Sequence, residues 1–101
     1  MINERIYIAG KITGDADYKA KFRNAETVLL AMDWNYWFIV NPVKECKEHW
    51  SWLRCMIKCL FLLKDCKYVA MLPDWRESRG ARIEHSVAKR LNKTIIYIEG
   101  V

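Results

Sequence analysis

Short apolar runs alternate along this chain with segments whose apolar residues recur at helical spacing. The apolar runs occupy residues 5–10, 37–40, 68–72 and 94–98. The helical patterns between them occupy residues 17–32, 51–63 and 78–91. Regular alternation of strand and helix requires right-handed crossovers and a parallel sheet covered on both faces, which also explains why the strands are apolar throughout. We therefore predict a doubly wound α/β fold with about four parallel strands and three main helices.

The length of the chain limits the number of domains. With 101 residues, of which 52% are hydrophobic, the chain can form one compact core and is too short for two, so residues 1–101 are predicted to form a single domain. It contains no run of about 18 uncharged apolar residues, and its amino terminus lacks the long apolar core of a signal peptide. We expect a soluble cytoplasmic protein with no membrane partner.

The charge pattern constrains the class of ligand. Seventeen basic and 12 acidic residues give a net charge of +5, and the basic residues are scattered rather than gathered in a tract interleaved with aromatic residues. A nucleic-acid-binding surface is usually denser in basic residues, so nucleic acid is an unlikely partner. The excess positive charge is compatible with a small anion such as a nucleotide phosphate, and equally with a solvated basic surface.

The cysteines lie in the middle third of the chain. Cys55 and Cys59 are one helical turn apart and would not easily pair with each other, and no C-x-x-C motif occurs. Cys46, His49, Cys55 and Cys59 could be combined into a metal site, but buried thiols that act as small hydrophobic side chains are the simpler interpretation. We therefore predict no metal.

Residues 33–37, with the sequence DWNYW, are the hardest to assign. They could end the helix before them, begin the next strand or form an exposed aromatic patch. An exposed aromatic patch would suggest a contact between subunits.

Residues 72–88, LPDWRESRGARIEHSVA, resemble the part of an open α/β sheet where ligands bind. Pro73 prevents the third strand from continuing, and Ser78 is a good N-cap for the helix that follows. Glu84 would then lie near the amino end of that helix, beyond the carboxyl end of the strand, where ligands bind in such folds. The same position also allows Glu84 to do no more than complement the helix dipole.

Four segments in this order resemble the DUF4406 branch of the nucleoside 2-deoxyribosyltransferase-like superfamily, which also includes the 2′-deoxynucleoside 5′-phosphate N-hydrolases. The segments are YIAGKITG at 7–14, DYKAKFRNA at 17–25, VNP at 40–42 and residues 72–88. The resemblance implies a Rossmann-like enzyme that cleaves or exchanges the N-glycosidic bond of a nucleoside or nucleotide. It also implies no cofactor and a homodimer or higher homo-oligomer.

The resemblance assigns roles to individual residues. Glu84 matches the glutamate that attacks the anomeric carbon of the sugar, and Tyr7 matches the tyrosine that positions it. Gly10 matches a glycine that leaves room for sugar and phosphate. Ser78 and Gly80 match the S-x-G motif of the nucleotide hydrolases, in which the serine and nearby N–H groups hold the 5′-phosphate.

Other positions add charge or depart from the pattern. Arg79 and Arg82 could contribute charge at the phosphate, or be solvated helix residues. Lys11, included in the predicted binding set, stands where relatives usually have proline.

The second helix lacks the aspartate that, in many relatives, helps to protonate the leaving base. The predicted proton donor is then Asp74 or a group from a neighbouring subunit. His85 is a further candidate, but it would not normally converge with Glu84 on one atom and is interpreted as a packed or surface histidine.

Three functions remain open from the sequence. The first is a nucleoside or nucleotide N-glycosidase, acting as hydrolase or transferase. The second is a non-catalytic nucleotide-binding module on the same fold. The third, which uses the aromatic and cysteine-rich middle of the chain as an interaction surface, is a structural protein.

Overall fold

A computed structural model describes residues 4–32, 38–47 and 49–99. Its strands are β1 (Arg5–Ala9), β2 (Phe38–Val40), β3 (Tyr68–Met71) and β4 (Thr94–Tyr97). They form one parallel sheet in the order β2-β1-β3-β4. Its helices are α1 (Tyr18–Ala31), α2 (Pro42–Glu45), α3 (Trp52–Lys64) and α4 (Arg79–Arg90), and a 3-10 turn covers Trp75–Glu77. The predicted α/β fold, with four parallel strands and three long helices, is confirmed.

Helices cover both faces of the sheet because successive side chains of β1 point to opposite sides. Ile6 packs with Phe22 of α1 in one buried cluster. Tyr7 packs with Leu63 of α3 and Ala88 of α4 in the other cluster. All five side chains are fully buried, so β1 is the centre of two core layers.

The short helix α2 was not predicted from the sequence, because Asn41 and Pro42 are typical of a turn and the charged residues that follow are typical of a polar loop. Asn41 caps the helix, because its side chain accepts a hydrogen bond from the Val43 N–H at 3.0 Å, and Pro42 occupies the first helical position. The Asn41 Nδ2 also donates to Glu26 Oε2 at 2.8 Å, which joins α2 to α1. The segment 33–37, including the predicted first residue of the second strand, lies outside the described residues.

Capping residues mark the ends of the helices α3 and α4. Ser51 caps α3 by accepting a hydrogen bond from the Arg54 N–H at 3.1 Å. Ser78 caps α4 in the same way through the Ala81 N–H at 3.1 Å, as predicted. Asp65 directly follows the helical pattern of residues 51–63 and from the sequence indicates the end of that helix; it is the C-cap of α3. No helix in the described part of the chain is long and apolar enough to cross a bilayer.

The strand order places a topological switch point at the middle of the sheet. β1 lies between β2 and β3, so the crossovers that leave β1 and enter β3 run to opposite sides. In open parallel sheets the crevice for ligands lies beyond the carboxyl ends of strands at such a point. Gly10 follows β1 at this edge and Leu72 follows β3, with the Leu72 N–H bonded to the Ala9 carbonyl at 2.8 Å.

Candidate active site

A cavity of about 460 Å³ opens at this edge of the sheet, a size typical of small-molecule sites. Its walls come from the end of β1, the start of α1, α2, the first half of α3 and the start of α4. Of the residues predicted from sequence, Gly10, Ser78, Gly80 and Glu84 line the cavity. The fold therefore brings together residues that are up to 74 positions apart, from Gly10 to Glu84.

Glu84 carries the carboxylate of the cavity wall, and it is only 5% exposed. The Tyr7 hydroxyl, from the neighbouring strand β1, donates a hydrogen bond to Glu84 Oε2 at 2.5 Å. Tyr7 itself is fully buried behind the cavity and does not line it. The structure thus brings the Tyr7 hydroxyl and the Glu84 carboxyl group into direct contact, and the positioning role that the family resemblance implies for Tyr7 stays a prediction.

Burial changes the protonation of this pair. Loss of solvation raises the pKa of Glu84 to about 8, and the hydrogen bond from Tyr7 lowers it only in part. Burial, with the nearby Glu84 carboxylate as the second cause, also raises the pKa of Tyr7 well above its usual value. Tyr7 therefore remains a hydrogen-bond donor at neutral pH, and Glu84 exchanges its proton within an accessible pH range.

The start of α4 approaches the cavity closely because residue 80 is glycine. A Cβ atom at Gly80 would lie 3.0 Å from Met56 Sδ and 3.7 Å from Trp52 Nε1, both on α3. The absence of a side chain thus lets α4 pack against α3. The Ser78 hydroxyl already accepts the capping bond from the Ala81 N–H, and it retains its own O–H as a donor.

Gly10 has a packing reason for its identity. A Cβ atom there would lie 2.5 Å from Leu72 Cδ1 and 2.9 Å from Leu72 Cβ, and Leu72 is fully buried. The two residues are the first after β1 and β3, so the glycine lets these strands end side by side. Gly10 also lines the cavity, as expected of a residue that leaves room for a ligand.

Asp74 and Lys11 lie beside the cavity rather than in its lining. Asp74 Oδ1 accepts a hydrogen bond from the Lys11 N–H at 3.1 Å, and its other oxygen pairs with the Lys21 ammonium, which also pairs with Asp15. The Lys11 ammonium lies 3.6 Å from Glu77 Oε1. Asp74 therefore joins three segments, through one hydrogen bond from the Lys11 backbone and one ion pair with Lys21, and its role as proton donor stays a prediction.

The arginines of α4 lie outside the cavity lining as well. The Arg79 guanidinium lies 4.8 Å from the ring centroid of Trp52, which does line the cavity, so Arg79 borders the site across this ring. Arg82 Nη1 donates to the Arg76 carbonyl at 2.9 Å, which connects α4 to the 3-10 turn. This bond favours a structural role for Arg82.

His85 is held in an aromatic cluster away from Glu84. Its ring stacks on Trp75 with centroids 4.1 Å apart, and its Nε2 lies 2.9 Å from the Tyr97 hydroxyl. Burial, followed by the nearby charges of Lys89 and Arg76, lowers its pKa. These contacts agree with the interpretation of His85 as a packed histidine and do not favour a role as proton donor.

Sequence reasoning missed the aromatic and cationic part of the cavity wall. The rings come from Tyr18, Trp50 and Trp52, and the ammonium groups from Lys19 and Lys47. The closely spaced tryptophans of the segment HWSW, at 49–52, were the available signal. Only the fold shows that this segment faces Glu84.

The interpretation of the cysteines as separate buried thiols is wrong for two of them. Cys46 and Cys55 form a disulfide, with Cα atoms 5.7 Å apart, because the short helix α2 turns Cys46 toward the first turn of α3. Cys59 and Cys66 are buried thiols, as expected. Cys46, Cys55 and Cys59 all line the cavity, so sulfur forms part of its wall.

Two solved structures share this fold. The 2-desoxiribosyltransferase from Leishmania mexicana superposes with a TM-score of 0.69 at 17% identity over 94% of this chain. A CMP N-glycosidase from Clostridium botulinum superposes with a TM-score of 0.62 at 20% identity over 93% of this chain. The chain spans 63% of the transferase chain and 70% of the glycosidase chain. At these identities the likeness establishes the fold.

No curated protein matches the chain significantly in sequence. A match to a family described as a domain of unknown function covers residues 4–97, which include every candidate site residue discussed above. The resemblance to DUF4406 noted from the four sequence segments is thereby confirmed. The chain belongs to the DUF4406 family.

Proposed function

We propose that this protein cleaves or exchanges the N-glycosidic bond of a nucleoside or nucleoside 5′-monophosphate, with Glu84 as the nucleophile. One observation carries the proposal: a buried carboxyl group faces a cavity of nucleotide size and accepts a 2.5 Å hydrogen bond from Tyr7. The fold is shared with proteins named as a deoxyribosyltransferase and a CMP N-glycosidase, which supports this class of reaction.

The reaction proceeds in two displacements. A Glu84 oxygen attacks the anomeric carbon, the bond from that carbon to the base nitrogen breaks, and the base leaves with the electron pair. Water, or the N–H nitrogen of a second base, then attacks the same carbon and releases the Glu84 carboxylate; the proton lost by the attacking group goes to solvent, and the departed base takes up a proton from solvent. The carboxylate also stabilises the positive charge that develops on the sugar, as in other glycosidases that use carboxylates.

Attack requires the ionised form of Glu84. Because burial holds its pKa near 8, the fraction of enzyme with a carboxylate rises as the pH rises toward that value. We therefore expect kcat/KM to increase from pH 6 to pH 8. The bond from Tyr7 favours the carboxylate, so Tyr7 is a positioning residue that also keeps the pKa from rising further.

The remaining walls match the parts of a nucleotide. Trp50 and Trp52 offer ring faces for a base, and aromatic stacking tolerates different bases. The amino end of α4, with the Ser78 hydroxyl, offers N–H and O–H donors for a phosphate. Lys19 and Lys47 add positive charge in the same cavity.

Glu84 is the one carboxylate among the described residues of the cavity wall. A second carboxyl group to protonate the base is thus missing from the lining, and Asp74 is held by Lys11 and Lys21. The base then leaves without a proton from a carboxylic acid. The rate should therefore depend steeply on the leaving-group ability of the base, that is, on how stable its anion is.

The decisive test compares two carboxylate variants. Purified protein is incubated with a panel of nucleosides, nucleoside monophosphates and NAD-like dinucleotides, and free base is measured by chromatography. Glu84→Gln should lower base release at least about 1,000-fold, since it removes the nucleophile while keeping the Tyr7 bond. Glu99→Gln, at an exposed position, should change it less than twofold. Equal turnover by the Glu84→Gln variant and wild type would disprove the assignment of Glu84.

The absence of a second carboxylate from the described cavity lining also favours a second candidate, a nucleotide-binding module without catalysis. The walls would then bind nucleotide while Glu84 remains mostly protonated at neutral pH. Calorimetry with nucleoside monophosphates, followed by long incubation at pH 8, separates the two functions. Binding without release of base supports the module, and turnover that Glu84→Gln abolishes excludes it.

A further inference from the structure

The three sulfur atoms in the cavity wall form a compact group. The Sγ atoms of Cys46, Cys55 and Cys59 all lie within 4.8 Å of one another. Cys59 Sγ is 3.8 Å from Cys46 Sγ and 3.8 Å from Cys55 Sγ. His49, which the sequence had suggested as a further ligand, is exposed and is not part of this group.

These distances match a tetrahedral zinc site. A zinc–sulfur bond of about 2.3 Å places two thiolate sulfurs of a tetrahedron about 3.8 Å apart. Two of the three edges of the sulfur triangle already have this length. The third edge is the disulfide, so opening that bond and separating its sulfurs would complete the triangle.

We propose that the reduced form of the protein binds one thiophilic, tetrahedral cation, zinc by its chemistry, through Cys46, Cys55 and Cys59. This revises the sequence-based prediction of no metal, which treated the thiols as separate small hydrophobic side chains. The fourth position is left to water from the cavity. The proposal concerns metal affinity alone and does not depend on the proposed nucleotide chemistry.

The three sulfurs come from two neighbouring elements. Cys55 lies in the first turns of α3, and Cys59 lies one helical turn later on the same helix. Cys46 comes directly after the last residue of α2, so its backbone is not fixed by helical hydrogen bonding beyond its contact with the Pro42 carbonyl. A modest rotation of the Cys46 side chain is therefore sufficient to open the group for a cation.

Metal binding and the disulfide exclude each other. A thiolate donates an electron pair to the metal, and in the disulfide that pair is used in the bond between the two sulfurs. A phosphine reductant reduces the Cys46–Cys55 bond: the phosphine takes up oxygen from water to become its oxide, and the two hydrogens of that water appear on the two thiols. Binding of Zn²⁺ then displaces the protons of all three thiols to solvent.

The test measures metal binding by reduced protein under anaerobic conditions. After phosphine treatment and removal of metal, the protein is titrated with Co²⁺, followed by its thiolate charge-transfer absorption, and then with Zn²⁺ against a chromophoric chelator. One equivalent should bind per chain. Cys46→Ser, Cys55→Ser and Cys59→Ser should each weaken binding on the order of 100-fold.

Cys66 provides a matched control, since it is also buried but donates to the Leu62 carbonyl outside the group. Cys66→Ser should change the affinity less than threefold. Because Cys59 is buried, circular dichroism checks the fold of each variant, and the more accessible Cys46 gives the result if Cys59→Ser unfolds.

A second measurement follows alkylation of the two partly exposed cysteines in the reduced wild-type protein. Zinc should slow the alkylation of Cys46 and Cys55, measured by mass spectrometry, whereas the buried Cys59 and Cys66 should react slowly with or without zinc. Binding of less than one equivalent would overturn the proposal. So would an equal loss of affinity in Cys66→Ser and in the three ligand variants.

Discussion

The most informative residue is Glu84, because a carboxyl group that ionises readily in water is buried here away from solvent. A carboxyl group that is 5% exposed, with a pKa raised to about 8 by burial, is costly to ionise. The structure retains it with one strong hydrogen bond, from the Tyr7 hydroxyl. Such a buried titratable group in a cavity is typical of a functional site rather than of a stabilising element.

The first prediction concerns stability and pH. Glu84 has a folded-state pKa near 8 and an ordinary unfolded value near 4.5, so wild-type stability from this group is fully present below pH 4.5 and is lost as the pH rises through 8. Glu84→Gln does not titrate and keeps an acceptor for Tyr7. The Tm of the variant should exceed that of wild type by an amount that grows between pH 5 and pH 8, to on the order of 10 °C.

Differential scanning calorimetry in the presence of a chelator measures both proteins over this range. Glu99→Gln, which replaces an exposed carboxylate, is the control and should keep a constant Tm difference. A Tm difference for Glu84→Gln that does not change with pH would show that Glu84 is not held with a raised pKa.

At the scale of elements, the amino ends of α3 and α4 form a large part of the cavity wall. Ser51 and Ser78 both cap their helices through side-chain oxygen atoms, and both line the cavity. These caps fix where each helix begins, and therefore where Cys55 and Glu84 lie. Asp17 is the N-cap of α1 but its side chain makes no capping bond.

The second prediction uses this difference between caps. Ser51→Ala and Ser78→Ala should each lower the free energy of unfolding by about 1 kcal/mol, since each removes an N-cap bond. Asp17→Ala should change it by less than about 0.5 kcal/mol. Urea denaturation measures all three. If Ser78 also holds a phosphate, only Ser78→Ala should raise the KM for a monophosphate more than for the matching nucleoside.

At the scale of the whole molecule, α3 has two apolar sides. One side lines the cavity and the core, and the other carries an apolar stripe of Leu53, Ile57 and Phe61, which are 62%, 52% and 63% exposed. These residues are four apart, so they lie on one face of the helix. An apolar surface of this kind is typical of a contact between proteins, which favours the homo-oligomer expected from the family resemblance.

The third prediction concerns this stripe. Replacing Ile57 and Phe61 together by lysine should shift the protein toward monomer, because two charges would then lie in the apolar contact. Light scattering after size-exclusion chromatography measures the mass. Leu91→Lys, at the C-cap residue of α4, which is 45% exposed, is the control and should leave the mass unchanged. A wild-type protein that is monomeric at all concentrations tested would contradict the expected homo-oligomer.

Much of the local structure was predictable from the sequence. The apolar runs, the Ser78 cap and the helix end at Asp65 depend on near neighbours, so periodicity and end signals locate them. The helix α2 was missed because a single turn after Asn41 and Pro42 has no periodicity to detect.

The sequence by itself determined the layers of the fold, because each strand and helix is specified by the spacing of its own apolar residues. It also placed Glu84 at the edge of the sheet where ligands bind. Only the tertiary structure decided which distant side chains face that carboxyl group: Tyr7 behind it, the tryptophans and the three sulfurs across the cavity. The physical reason is that contacts between segments depend on strand order and helix packing, and no local spacing in the chain encodes them.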